Sequence, residues 1–369
     1  MKNKKTLTEN PALVSFLASV GAIVLGLLVG IITLMIFNIS KTGFGIKQIL
    51  TAGFSSVFKI TKVLYKATPI LMTGLSVSFA YKTGLFNIGA SGQFTVGAFF
   101  ALFGAMVLKL PWWACLVLAM IGGAVWGIFP GLFKAYFNVN EVITAIMFNW
   151  IGLFLVNLLV SNIPIMLSNY HGGSTSERTA KLQIAGEQAI LPTLGLDKVF
   201  NSSYVNIGIL IAILFAILIH IVLNKTTFGY ELKACGFNKD ASNYAGINAK
   251  RNIILSMIIA GALAGVGGGL YYLSGTVQYV IEKSVTAMGF NGIVVALLGN
   301  SSPLGSILSA FFISYIQVGG EALQPVYVQE MIDIIIAAII YMSAFSVLMQ
   351  NVIVDFFKKK KDKKEGAVE

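Results

Sequence analysis

Apolar residues dominate this chain in long runs broken by short polar stretches, and most runs have the length of a membrane span. The pattern predicts ten hydrophobic segments, at 12–37, 67–81, 86–108, 112–133, 143–162, 204–223, 252–273, 287–300, 303–320 and 331–354. Lipid offers the backbone no partner, so spans of this kind are helices. The reading is an all-α, polytopic integral membrane protein of about ten transmembrane helices, at least one of them short or discontinuous. A transmembrane domain over 12–354 lies between an N-terminal tail (1–11) and a basic tail (355–369). Within it, 38–66 and 163–203 read as outer loops and 224–252 as an inner one.

The segment 67–81 is short for a span, contains Pro69 and Gly74, and runs almost directly into Gly84-Leu-Phe-Asn-Ile-Gly-Ala-Ser-Gly-Gln93. Interrupted segments of this type are the sequence pointer to a helix that lines a path. Asn87 and Gln93 then bond across a close helix contact, or face the path; the two readings are compatible.

Composition excludes an ordinary soluble protein: 56% of residues are hydrophobic and 11% charged, with mean hydropathy +0.82. The run from Ala12 to Phe37 follows Met-Lys-Asn-Lys-Lys but is too long for a signal-peptide core, so it reads as a retained first helix. An even number of spans puts both termini on one side. Basic tails make that side the cytoplasm, and more than half of the 26 Lys and Arg fall there. The exception is 38–66, where Lys41, Lys47, Lys59, Lys62 and Lys66 alternate with Ile49, Phe54, Val57, Phe58 and Val63. It reads as an amphipathic segment along the outer interface.

The net charge of +11 does not indicate nucleic acid, because the basic residues collect in tails and polar loops. Lys358 to Lys361, Lys363 and Lys364 form either a generic topology tail or a contact with anionic lipid headgroups. Cys115 and Cys235 fall in a span and in the inner loop, and are expected as free thiols. His171 and His220 stand alone, so no metal site and no cofactor is expected.

The inner loop is the most patterned polar stretch. Leu232 and Cys235 repeat at helical spacing, as do Ala241, Tyr244 and Ala245, with Glu231, Lys233 and Lys239 between them. Gly236 ends a first short helix, Asn238 caps a second, and Gly246 ends that one. Two amphipathic helices between spans make a docking surface, or a plain solvated connection.

The run Gly229-Tyr-Glu-Leu-Lys-Ala-Cys-Gly236, with Ala241 and Tyr244-Ala-Gly-Ile247, resembles the coupling loop of permease subunits from ATP-binding-cassette importers. The branch is the nucleoside and simple-sugar family, which includes ribose-type permeases and is related to branched-chain amino acid permeases; nucleoside permeases are the nearest. Gly84 to Gln93 and Asn140-Glu-Val-Ile-Thr-Ala-Ile-Met-Phe-Asn149 carry the same resemblance, which spans roughly 67–350. It implies an extracellular substrate-binding lipoprotein, a second permease chain of different sequence, and a separate ATPase. That ATPase would dock on Glu231, Leu232, Gly236, Ala241, Tyr244 and Gly246. The family pattern has Glu where this chain has Ser91, which puts any role of that acid in doubt here.

Glu141 is explained by its place at a helix N-terminus after Asn140. Asn149 lies deeper in its span and is the better path residue. Gly261, Gly265, Gly267, Gly268 and Gly269 favour close packing of the seventh span. No Gly-x-x-x-x-Gly-Lys-Ser/Thr motif occurs, so the chain carries no ATPase site of that type and is not expected to be an enzyme. Phe86 to Gly89 and Phe290 to Ile293 hint at an inverted repeat that places Asn87 and Asn291 on one path.

Asn87, Gln93, Asn149 and Asn291 offer the neutral donors and acceptors that a nucleoside or a simple sugar such as ribose needs. The expected function is a nucleoside permease subunit in the cell membrane, with sugar import as the alternative. An ion-coupled carrier is weaker, because no carboxylate sits at mid-span.

Overall fold

The computed structural model describes residues 11–343 and Phe345. The basic tail, residues 1–10 and the end of the tenth predicted segment lie outside the described residues. Helices account for about three quarters of the structure: α1 (Pro11–Asn38), α2 (Thr42–Thr51), α3 (Val57–Tyr81), α4 (Ala90–Met106), α5 (Trp112–Phe137) and α6 (Glu141–Ser161). They continue as α7 (Leu182–Ala185), α8 (Leu196–Phe200), α9 (Gly208–Lys225), α10 (Thr227–Phe237), α11 (Lys239–Tyr244) and α12 (Ala249–Tyr272). Then come α13 (Ala287–Leu298), α14 (Pro303–Glu321) and α15 (Gln329–Ser343). Among the described residues 7 helical stretches are long and apolar enough to cross a membrane, and α4 and α13 are shorter apolar helices. This is a multi-pass membrane protein.

The chain forms two compact units. The larger comprises 54–296 and 301–314. At its centre α12 packs against α3, α4 and α5. Close approach comes from glycine meeting glycine. Gly97 of α4 and Gly123 of α5 both lie on Gly265 of α12, and Gly261 lies on Gly123, with no space for a Cβ at any of these positions. The glycine-rich span thus packs as its sequence predicts. The outer helices α6 and α9 turn Ile151, Phe154, Leu158, Leu210, Leu214 and Ile221 outward. A continuous apolar surface of this kind is suited to lipid, not water.

The segment read as 67–81 differs from expectation. It belongs to a helix of 25 residues that starts at Val57 and runs through Pro69. Ser56 caps it, its hydroxyl accepting from the Lys59 amide at 3.3 Å. Lys59, Lys62 and Lys66 interrupt the hydropathy of its first turns, yet Thr61, Val63 and Tyr65 between them are buried. Around Pro69 the Thr68 and Thr73 hydroxyls donate to carbonyls one turn back, at 3.0 Å to Leu64 and 3.2 Å to Pro69. The short helices are instead α4, with 17 residues, and α13, with 12.

The stretch 163–203 is a folded cap. Thr179 donates its amide to the Tyr279 carbonyl at 2.9 Å, and Ile281 donates to the Glu177 carbonyl at 2.8 Å. Lys109 Nζ reaches the Ala185 carbonyl at 2.6 Å and Gln188 reaches Ala105 at 2.9 Å. These bonds tie it to the α4–α5 and α12–α13 connections. The opposite end of the same unit carries the α3–α4 turn, the α5–α6 junction and the α10–α11 pair.

Of the described residues, the smaller unit holds 11–53, 297–300, 315–343 and Phe345. Gly30 of α1 receives the Ile339 side chain of α15, and Gly45 of α2 packs on Leu34. Tyr315 donates its phenol to the Leu50 carbonyl at 2.5 Å.

Candidate functional site

After α3 the chain turns at Gly84, whose φ of +74° is a conformation glycine adopts without strain. It then runs through Leu85 to Gly89 before α4 begins. Asn87 is fully buried here and donates to Ser76 Oγ at 2.9 Å and to Gln93 Oε1 at 2.8 Å. Gln93 returns a bond to Asn87 Oδ1 at 3.3 Å. The start of α4 has no local side-chain cap. Asn149 of α6 supplies one, accepting from the Gly92 amide at 2.8 Å and donating to the Ile88 carbonyl at 3.0 Å. An otherwise orphaned helix amide is thereby satisfied from a neighbouring helix.

Asn87, Gln93 and Asn149 therefore share one buried junction. Asn291 is half-buried one turn into α13, and none of these hydrogen bonds reaches it. Asn87 precedes its helix while Asn291 lies inside its own, so the two hold different stations in any internal repeat.

The beginnings of α4 and α13 meet at Ser91. Its hydroxyl donates to the Thr286 carbonyl at 3.1 Å, and Gly289 rests directly on its backbone and side chain. Thr73 of α3 donates to the Met288 carbonyl at 3.0 Å.

One turn along α4, Thr95 borders a cavity of about 250 Å³ that also touches Tyr271, Tyr272, Tyr279, Glu282 and Thr286. Tyr271 stacks on Tyr65, with centroids 5.5 Å apart, and meets Tyr272 edge to face at 5.0 Å. Tyr279 stands 5.8 Å from Tyr272 and donates its phenol to Asn157 Oδ1 at 2.8 Å. Burial, and then the Glu282 carboxylate, push the Tyr279 phenol well above its ordinary pKa, so it stays a neutral donor. Sequence reading missed this cavity. The Tyr271-Tyr272 pair at the end of an apolar run was the available signal.

At the other end, Thr226 caps α10, accepting from the Gly229 amide at 3.1 Å, and Asn238 caps α11, accepting from Ala241 at 2.9 Å. Gly246, with φ of +82°, follows α11 as expected. Gly236 does not end α10, which continues through Phe237. It fits against the Lys82–Gly84 turn instead. Leu232 and Cys235 are buried. Glu231 accepts from Asn252 of α12 at 3.1 Å, and Lys233 donates to Asn224 at 2.8 Å. Tyr230, Phe237 and Tyr244 are exposed; Tyr230 and Phe237 border a groove of about 630 Å³ that is also lined by Glu231, Ala241, Ala245 and Ile247. At the α5–α6 junction Asn140 accepts from the Val142 amide at 2.8 Å, and Glu141 pairs with Lys134 at 2.8 Å.

The bundle is a glycine-packed membrane protein with a capped end and an exposed helix pair opposite. The family model described as the permease component of branched-chain amino acid transport systems matches residues 59–344, and the chain belongs to that family. The guanosine ABC transporter permease protein NupP of Bacillus subtilis (strain 168) is 35% identical over 92% of this chain and 95% of its own. The nucleoside ABC transporter permease protein NupB of Lactococcus lactis subsp. cremoris is 34% identical over 89% of this chain and 90% of its own. The glucose ABC transporter permease protein TsgB13 of Haloferax volcanii is 27% identical over 91% of this chain and 89% of its own. No solved structure matches the chain.

Proposed function

We propose that this chain is the permease subunit of an ATP-binding-cassette importer that carries a nucleoside across the cell membrane. The observation that carries the reading is the near full-length similarity to permeases named for guanosine and nucleosides, at 35% and 34% identity. Sugar import is the second reading, supported by the glucose permease at 27% identity.

Energy comes from a separate ATPase seated on α10 and α11. Phe237, Tyr244 and the adjoining groove give that partner an apolar surface, and Leu232 and Gly236 tie the pair to the bundle. This assignment puts 224–252 and both termini in the cytoplasm, and turns the folded cap of 163–203 toward an extracellular substrate-binding lipoprotein. A second permease chain, different in sequence, completes the pore. Asn87, Gln93, Asn149 and Asn291 belong to the wall of the path; Asn87 and Gln93 hold it in shape through the bonds they exchange, and Asn149 through its bonds to Gly92 and Ile88.

The test is competition for uptake in cells that carry the complete importer. Excess unlabelled nucleoside should abolish accumulation of labelled guanosine, and excess ribose or glucose should leave it unchanged. Sugar uptake insensitive to nucleosides would instead establish the second reading.

A further inference from the structure

None of the asparagines or glutamine assigned to the path lines the tyrosine cavity at the end of α12. Its volume of about 250 Å³ lies below the ~300–1,000 Å³ usual for drug-sized ligands, so it suits a single small ring system.

Two kinds of contact are on offer. The first is a set of aromatic faces fixed in advance. Tyr271 contacts Tyr65, at 5.5 Å, and Phe94, at 6.1 Å, and Tyr272 packs against both Tyr271 and Tyr279. Thr179 pins the backbone at Tyr279, its hydroxyl accepting from the Tyr279 amide at 3.0 Å. Rings ordered before binding cost less to use.

The second is the carboxylate of Glu282, exposed on the rim of the same cavity. When ionised it only accepts hydrogen bonds. The neighbouring Gln278 spends a side-chain N–H on the Thr179 carbonyl at 2.6 Å and offers a neutral Oε1, whereas Glu282 is the charged, stronger acceptor.

A nucleobase uses both features, with a π face for the tyrosines and ring N–H donors for the carboxylate. A sugar has hydroxyl groups for Glu282 but no π face to stack.

We infer that this cavity receives the base of the transported nucleoside, stacked on Tyr271 and Tyr272 with a ring N–H on Glu282. The inference rests on the nucleoside reading above. It also gives the cavity a preference. Guanosine, which carries a ring N–H on its pairing edge, gains from Glu282 where adenosine, which lacks one, does not.

The experiment measures guanosine and adenosine uptake by the complete importer in vesicles, with the wild-type chain and the Tyr272→Leu, Tyr272→Phe and Glu282→Gln variants. The Tyr272→Leu change should raise the half-saturating concentration about tenfold for both nucleosides, the scale of one lost stacking contact. Tyr272→Phe should retain the wild-type value. Glu282→Gln should move the guanosine-to-adenosine uptake ratio about tenfold toward adenosine, the scale of one charged hydrogen bond. If Tyr272→Leu fails to assemble, the Glu282→Gln ratio decides alone. Nucleoside uptake by wild type, with neither ratio nor half-saturation moved in the variants, overturns the cavity assignment and leaves the nucleoside reading intact. Uptake of sugar and no nucleoside overturns both.

Discussion

Gly236 of α10 lies against Gly84 of the α3–α4 turn so closely that a Cβ on Gly236 would stand 3.0 Å from the Gly84 amide nitrogen. The contact is backbone on backbone. It joins the exposed helix pair to the turn that leads, within three residues, to Asn87 and the buried junction at the start of α4. A displacement of α10 therefore has a short, stiff route to the bundle interior.

Gly236→Ala separates two opposed effects. Removing glycine from a helix is worth up to ~1 kcal/mol. Forcing a methyl group into packed backbone costs ~1–3 kcal/mol. The turn cannot yield as a flexible side chain would, so the packing cost wins. The variant should still retain its ATPase partner but import several-fold more slowly. Unchanged transport per ATP hydrolysed would remove this contact from the coupling route.

The stronger change, Glu231→Arg with Gly236→Pro, removes the bond to Asn252 and breaks α10 near its end. A tagged wild-type chain taken from mild detergent should bring down an ATPase, and the double variant should not. Equal recovery by both would show that the ATPase docks elsewhere.

Ser91 fits its site by size. Gly289 already occupies the space beyond its hydroxyl, so Ser91→Glu cannot place a longer side chain there without moving α13. Gly289→Ala meets the same obstacle from the other side. Each should lower detergent stability by ~1–3 kcal/mol, read as a fall in the midpoint of thermal unfolding. A Ser91→Glu chain as stable as wild type would mean that the α4–α13 junction opens freely.

Gly265 has no room for a side chain: a Cβ there would collide with the Ala119 carbonyl oxygen and stand 2.9 Å from Gly123 Cα. Gly265→Leu should prevent α5 and α12 from closing, and the protein should elute as aggregate in size exclusion. Gly172→Ala provides the contrast. A Cβ there meets nothing within 4 Å, so its effect reduces to the strain of a positive φ.

Lys82 has its pKa lowered by burial first and by the Lys233 ammonium second. A lysine lowered on folding binds fewer protons in the folded state. Stability then rises with pH from that lowered value to the ordinary value of 10.5. Thermal unfolding across this alkaline window should show a rise in wild type that is smaller in Lys82→Met. Parallel curves would mean that Lys82 is solvated as in the unfolded chain.

Much of the architecture is legible in the sequence because lipid demands long apolar runs, and glycines at helical spacing mark where spans touch. The caps at Asn140, Asn238 and Gly246 are legible because capping is local chemistry. The start of α3 was not legible, because Lys59, Lys62 and Lys66 lower hydropathy while the residues between them pack inward. Gly236 was read as a helix end, since sequence cannot distinguish a terminating glycine from one that admits a neighbouring backbone. The tyrosine cavity was hidden for a related reason. Tyr65 lies some two hundred residues before Tyr271, and only the tertiary packing stacks the two.

The most direct measurement of the central claim is guanosine accumulation by vesicles holding the complete importer, supplied with ATP while the proton gradient is collapsed. The account predicts undiminished accumulation with ATP and none without it. Uptake that stops with the gradient while ATP is maintained, or that proceeds without ATP, would contradict an ATP-driven permease.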